Sequence, residues 1–258
     1  MSAKWYFPST GGGRKAGLND SGIETFKDKP IRSLAREICQ NSLDAAIKGK
    51  KAIVEFNTFT INSEDFPDVE GFREVLVRCK DYASLERNEK AESFFDSALE
   101  KIGGSHITML RISDFNTTGL TGSNWDGLID KAGSSNKENE KLGSFGIGKN
   151  APFACSDFRT VFYSTLTETE QKSKGVSILT TFKLGEYPDG SDNLAQAIGF
   201  WGDVGQNSIA PVFQMINLDK NFHRESTGTD IYVSAFNMQS KDDFKRKIIS
   251  EVLDSFLL

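Results

Sequence analysis

The residues best suited to chemistry lie in three separated stretches. The first reads Glu37-Ile38-Cys39-Gln40-Asn41-Ser42-Leu43-Asp44-Ala45. On a helix, Glu37, Asn41 and Asp44 fall on one stripe beside an apolar arc of Ile31, Leu34, Ile38 and Ala45. A carboxylate and a neutral amide one turn apart, at the rim of a buried face, can hold a water and a Mg2+ whose other ligands are phosphate oxygens. The same trio also reads as a polar seam satisfied by neighbouring backbone. The second stretch centres on Asp114, which closes the apolar run 107–112 and precedes Phe115-Asn116-Thr117-Thr118-Gly119-Leu120. A carboxylate there can shape a turn or accept a hydrogen bond from an exocyclic amine in a pocket at the sheet edge. The third is Gly143-Ser144-Phe145-Gly146-Ile147-Gly148-Lys149-Asn150-Ala151-Pro152-Phe153. Its glycines let backbone N–H groups approach an anion, and a helix starting near Lys149 adds its positive end. The spacing comes close to a P-loop, but Asn150 stands where the metal-binding hydroxyl belongs and no strand pattern precedes it.

These stretches need elements to hold them. Pro30 suits the start of a helix over 31–48. Residues 51–61 are rich in β-branched and aromatic side chains and predict a strand. Helical patterns follow at 67–80 and 84–101, then the apolar run 107–112, the form of a buried strand. Residues 116–148 are dominated by Gly, Ser, Asn, Lys and Glu, which in a compact domain means a functional lid or disorder. A helix start at 149–154, strands at 158–166, 175–184, 196–201 and 229–236, and an amphipathic helix at 242–257 complete the pattern. Residues 1–30, with Gly11-Gly12-Gly13 and no apolar periodicity, predict an arm. Helices and strands mix, and the later strands are consecutive, which favours α+β with helices on one face of a largely antiparallel sheet.

Composition bounds what such a chain does. Its 258 residues carry 31 Lys+Arg against 36 Asp+Glu, a net charge of −5. That balance argues against the chain gripping nucleic acid by itself. No run approaches the ~20 apolar residues of a membrane span, and the N-terminus lacks a signal-peptide pattern. Three cysteines, Cys39, Cys79 and Cys155, cannot all pair, and with two His they form no zinc framework. A reduced cytoplasmic setting is the simplest reading. Two oddities remain: 23 Gly, clustered along the chain, and 20 Phe.

Taken together, the order and spacing resemble the GHKL (Bergerat-fold) ATPases, which include gyrase B-type topoisomerases, MutL-type repair proteins, ninety-kilodalton heat-shock chaperones, MORC-type ATPases and histidine kinases. Glu37-x3-Asn41-Ser42-x-Asp44-Ala45 looks like that family's helix motif. Gly143-x-x-Gly146-x-Gly148 looks like its lid-end glycine box, closest to the chaperone and MORC versions. Gly228-Thr229, leading into residues 230–235, resembles its late Gly-Thr element. With Asp114, four motifs stand in family order over about residues 31–236. The second motif departs from the family's Asp-x-Gly-x-Gly: Asn116 replaces the first glycine, and Gly119 comes one residue late. Asn tolerates positive φ better than most residues.

The resemblance implies a Bergerat-type two-layer sandwich, an ATPase domain over 31–258 and an ATP lid at about 119–145. Glu37 would be the general base and Asn41 the Mg2+ ligand. Asp114 would accept from the adenine amine, with Thr229 assisting through a water. Gly146, Ile147 and Gly148 would hold phosphates by their amides and Lys149 by its charge, with Asp44, Gly119, Gly143, Ser144 and Phe145 completing the nucleotide set. The implied activity is Mg-dependent ATP binding and slow hydrolysis, with ATP acting as a lid and dimerisation switch. In that case residues 1–27 wrap a second protomer through Trp5, Tyr6 and Phe7; otherwise they form a flexible tail. The C-terminal helix ends amid an apolar stripe, so transducer and effector domains are expected beyond it, and nucleic acid enters only through them. The competing readings are a nucleotide-binding interaction module with little turnover and, less favoured, a histidine-kinase-like enzyme. For the latter, Glu37 at the base position is atypical, and His106 and His223 read as structural.

Overall fold

The computed structural model describes residues 3–26, 28–130, 148–205, 209–215, 218–237 and 241–256. In chain order the elements begin with β1 (Lys4–Tyr6), α1 (Ser21–Glu24), α2 (Pro30–Asp44), β2 (Ile53–Asn62), α3 (Val69–Leu85) and α4 (Glu89–Gly103). Next come β3 (His106–Phe115), α5 (Gly122–Trp125), α6 (Ala151–Ala154), β4 (Thr160–Leu166) and β5 (Gln171–Ile178). The hairpin β6 (Lys183–Glu186) and β7 (Asp192–Leu194) precedes β8 (Ile198–Val204), β9 (Ile209–Ala210), β10 (Gly228–Ser234) and α7 (Lys241–Phe256). The main sheet runs β1-β8-β5-β4-β10-β3-β2, with β9 added to β8. Every pairing among the described strands is antiparallel. The α+β class with an antiparallel sheet is therefore as expected.

The layering is not. Helices cover both faces of the sheet. On one face Leu34 and Ile38 of α2 and Phe244 of α7 pack with Leu110, Ile112, Tyr163, Ile231 and Val233. On the other, Phe72, Leu76 and Cys79 of α3 and Phe95, Ala98 and Ile102 of α4 pack with Ile107, Met109, Phe162 and Tyr232. The two-layer expectation is thus corrected to three layers. The cause is visible in β4, whose residues 160–165 are all buried, so both of its faces need cover. The Phe excess belongs largely to the second face, where Phe66, Phe72, Phe158 and Phe162 pack ring on ring with centroids 5.2–5.8 Å apart. Each such ring, once buried, contributes roughly 1.5–3 kcal/mol.

The predicted arm is also different. Lys4–Tyr6 pairs with β8 as an edge strand, and Trp5 Nε1 donates to Pro67 O at 2.9 Å. Phe7, Leu18 and Ile23 are buried. Arg159 ties the segment down, donating to Leu18 O and, at 3.2 Å, to Glu24. Isolated apolar residues spaced along a Gly-rich stretch have no helical or strand period, so only their packing partners reveal them. α2 ends at Asp44 rather than at 48, and β3 continues through Asp114 and Phe115, which pair with Val54 and Ile53.

Candidate functional site

α2 presents its buried side through Leu34, Ala35, Ile38 and Ser42, a spacing of one helical face. Glu37 and Asn41 sit half-buried at the rim of that face. Desolvation pushes the Glu37 carboxyl above its ordinary range, partly offset by a hydrogen bond from the Asn41 amide and by Arg36. Asp44 is exposed and accepts from Gln40 Nε2 at 2.9 Å. Its negative charge reaches Glu37 through space, but its side chain turns outward.

Asp114 is held from three directions. Its Oδ1 accepts from the backbone N–H of Thr229 at 2.6 Å and from Thr117 Oγ1 at 2.8 Å. Ser42 Oγ donates to Ile38 O at 2.9 Å and lies 3.4 Å from Asp114 Oδ2. Burial raises the Asp114 pKa, and the Thr229 and Thr117 hydrogen bonds and the Arg224 charge work against that rise. One carboxylate oxygen is thus fully engaged and the other keeps acceptor capacity.

The loop after β3 is zipped to the end of α2. Ile47 N–H donates to Asn116 O at 2.9 Å, and Thr118 N–H donates to Ala45 O at 3.0 Å. Asn116 has φ 60°, the left-handed conformation its type permits. Gly119 has φ 72°, and a Cβ there would meet Leu166 O at 2.7 Å and Thr165 Oγ1 at 2.8 Å. Thr165 Oγ1 accepts from Leu120 N–H at 2.8 Å and donates to Gly228 O at 3.0 Å. Residues 119–130, the described start of the predicted lid, are anchored rather than free: Trp125 and Ile129 are buried, and Lys172 Nζ lies 4.6 Å from the Trp125 ring centroid.

Of the glycine box the structure describes Gly148 and Lys149; Gly143, Ser144, Phe145, Gly146 and Ile147 lie outside the described residues. Gly148 starts a short turn leading into α6. A Cβ at Gly148 would overlap the Glu37 carboxylate, so this backbone lies directly against it and a side chain here would push the carboxylate aside. Burial lowers the Lys149 amine below its ordinary value.

The predicted residues therefore divide. Glu37, Asn41 and Gly148 meet at the rim of α2, while Asp114, Gly119 and Thr229 meet at the ends of β3, β4 and β10, with Ser42 beside the first group and against the second. Sequence reasoning assigned no role to Ser42, Thr117, Thr165 or Arg224. Ser42 carried a signal, one turn beyond Ile38 on the apolar stripe; the others are single polar residues with no period.

A separate cavity of about 150 Å3 opens beside Asp219, Lys220, His223, Arg224 and Asp230. Its charges are spent within the chain: Asp219 on Arg111, Lys220 on Asp65 and Arg224 on Asp230. His106 Nδ1 pairs with Ser105 Oγ at 2.7 Å and His223 Nδ1 with Gln214 Nε2 at 3.1 Å. Among the described residues no three His, Cys, Asp or Glu side chains cluster as a metal site, no helix is long and apolar enough to cross a membrane, and the three cysteines are free. Compared with protein-family models the chain matches none, and no curated protein matches its sequence.

Proposed function

We propose that this chain binds ATP with Mg2+ and hydrolyses it slowly, in the manner of the GHKL ATPases it resembles. The observation that carries the reading is the Asp114 carboxylate, half-buried at the end of β3, with one oxygen saturated by Thr229 and Thr117 and the other retaining acceptor capacity. Such a group selects a ligand N–H donor, as the 6-amino group of adenine offers. Glu37 and Asn41, with Gly148 against the carboxylate, supply the other half of the reading.

Glu37 and Asn41 offer oxygen donors only, which suits a hard cation that fills its shell with water and phosphate oxygens. The Asn41 N–H donates to Glu37, which leaves the amide oxygen as the group that would hold Mg2+. The ion, when bound, neutralises phosphate charge. Glu37 orients the attacking water and takes its proton as the bond from the γ-phosphorus to its bridging oxygen breaks. Its raised pKa brings it nearer the working pH of a base. Lys149 adds positive charge near the phosphates. Rate then comes from positioning and charge stabilisation. Residues 119–145, of which 131–145 lie outside the described residues, act as the lid in this reading, and ATP-dependent pairing of two copies, like any effect on nucleic acid, belongs to the assembly.

The test is thermal unfolding with Mg2+ and a non-hydrolysable ATP analogue. One-site binding stabilises by about 2.7 kcal/mol at a hundredfold excess over Kd. A melting temperature that does not move with analogue concentration rejects the proposal.

A further inference from the structure

The backbone ladder between β10 and β3 stops one pair short of Asp114. Asp230 pairs with Ser113, but opposite Asp114 the Thr229 N–H turns to the carboxylate instead of to a backbone carbonyl. Gly228, at φ 148°, makes the deviation possible, because a Cβ there would overlap Arg224 Nη1 and Asp114 O. Two backbone carbonyls, Asp114 O and Thr229 O, then need donors inside the fold.

Arg224 supplies both. Its Nη1 donates to Asp114 O at 2.8 Å and to Ser226 O at 3.3 Å. Its Nη2 donates to Thr229 O at 3.0 Å and to Asp230 Oδ1 at 2.6 Å, and its Nε donates to Asp230 Oδ2 at 2.7 Å. The guanidinium has five N–H groups, and all five are used within the chain. The pair it forms with Asp230 is almost wholly buried, at 3% and 2% side-chain exposure. Arg224 therefore has no donor left for a ligand. It grips the backbone on both sides of the Asp114 carboxylate: the carbonyl of Asp114 itself and that of Thr229, whose N–H holds the carboxylate oxygen.

We propose that Arg224 is a positioning residue that sets the base preference of the Asp114 site, by clamping the Asp114 and Thr229 backbones so that one carboxylate oxygen stays spent and the other stays aimed at a ligand amine. Asp230 is its counter-charge, fixing the guanidinium plane through a two-point contact that a lysine cannot make. The inference rests on the adenine reading of Asp114.

The experiment compares ATP with inosine triphosphate, which carries a carbonyl where adenine carries its amine, by calorimetric titration with Mg2+. The wild-type chain is expected to prefer ATP, since a site built to bond a ligand N–H rejects the analogue lacking it. Two variants are measured: Arg224→Lys, and the double variant Arg224→Met with Asp230→Leu. Replacing a buried ion pair by apolar residues of similar size commonly leaves a fold intact, so the double variant separates folding from aim. The expected result is a fall in the ATP preference of about tenfold or more in both variants, with cooperative unfolding retained in the double variant. A folded double variant with an unchanged preference overturns the positioning role. If Asp114→Asn abolishes the preference while the double variant keeps it, only the Arg224 inference falls. If the wild type itself shows no preference for ATP, the reading of Asp114 falls and this inference with it.

Discussion

Asp114 and Glu37 are both half-buried carboxylates whose pKa burial raises, yet their surroundings are built to opposite designs. Asp114 receives hydrogen bonds from Thr229 and Thr117, and its own carbonyl is held by Arg224. Among the described residues, Glu37 receives a side-chain hydrogen bond from Asn41 on its own helix and rests against the backbone of Gly148. The first group is fixed by strands of the central sheet and the second by a helix rim and a glycine. A fixed carboxylate discriminates between ligands, because a wrong donor pattern leaves it unpaired in a place that cannot relax. A carboxylate held from its own helix, with burial raising its pKa, can take up a water and a proton.

The sharpest way to break the comparison is at the fixed end. Asp114→Asn places a donor where an acceptor is needed, and ATP affinity is expected to fall more than about a hundredfold; titration showing wild-type affinity would remove Asp114 from the site. Next comes Glu37→Gln, expected to keep ATP binding and lower hydrolysis about 10²–10⁴-fold, measured as phosphate release at saturating ATP. The same carboxylate gives a pH signature. The folded chain holds the Glu37 proton more tightly than the unfolded chain, so stability falls as pH rises from the ordinary glutamate value through the raised one. Ionised Glu37 therefore weakens the fold at neutral pH, and Glu37→Gln is expected to melt at or above the wild-type temperature. Hydrolysis in the wild type should fall, as pH is lowered, at a pH above the ordinary glutamate value of about 4.3.

Smaller effects sharpen the contrast. Thr165→Val removes the acceptor for Leu120 N–H and the donor to Gly228 O; denaturant unfolding should show a loss of about 1–3 kcal/mol, with ATP affinity reduced because the loop carrying Gly119 loosens. Asp44→Ala, at an exposed residue bonded to Gln40, should change stability by no more than about 0.5 kcal/mol. A larger loss of ATP affinity there would return Asp44 to the site and erase the distinction drawn along α2.

Much of this is legible in the sequence alone. The helix carrying Glu37 and Asn41 announces itself by Ile31, Leu34 and Ile38 at helical spacing, because a helix buries one face and the spacing of that face is local. β3 is an apolar run ending at Asp114, and Asn116 has the positive φ its type allows. The second helical layer was not legible as such. α3 and α4 read as helices, but nothing in their own sequence says which sheet face they cover. The burial of β4 on both sides is a property of its neighbours, and a short apolar strand reads the same with one face covered or two. Trp5 and Phe7 read as part of an arm because three residues of edge strand carry too short a pattern to detect.

The sequence by itself determined the local chemistry: which residue types stand one helical turn apart, where glycine and asparagine permit the chain to turn, and which runs must be buried. Those properties depend on neighbours within a few positions. The tertiary structure decided what each group answers to. It brought Arg224 from a polar loop to clamp Asp114, set Ser42 against that carboxylate, turned Asp44 to solvent and laid Gly148 on Glu37. Each of these pairings except Asp44's exposure joins residues tens of positions apart, or more than one hundred, and only the packing of the sheet between two helical layers can choose among them.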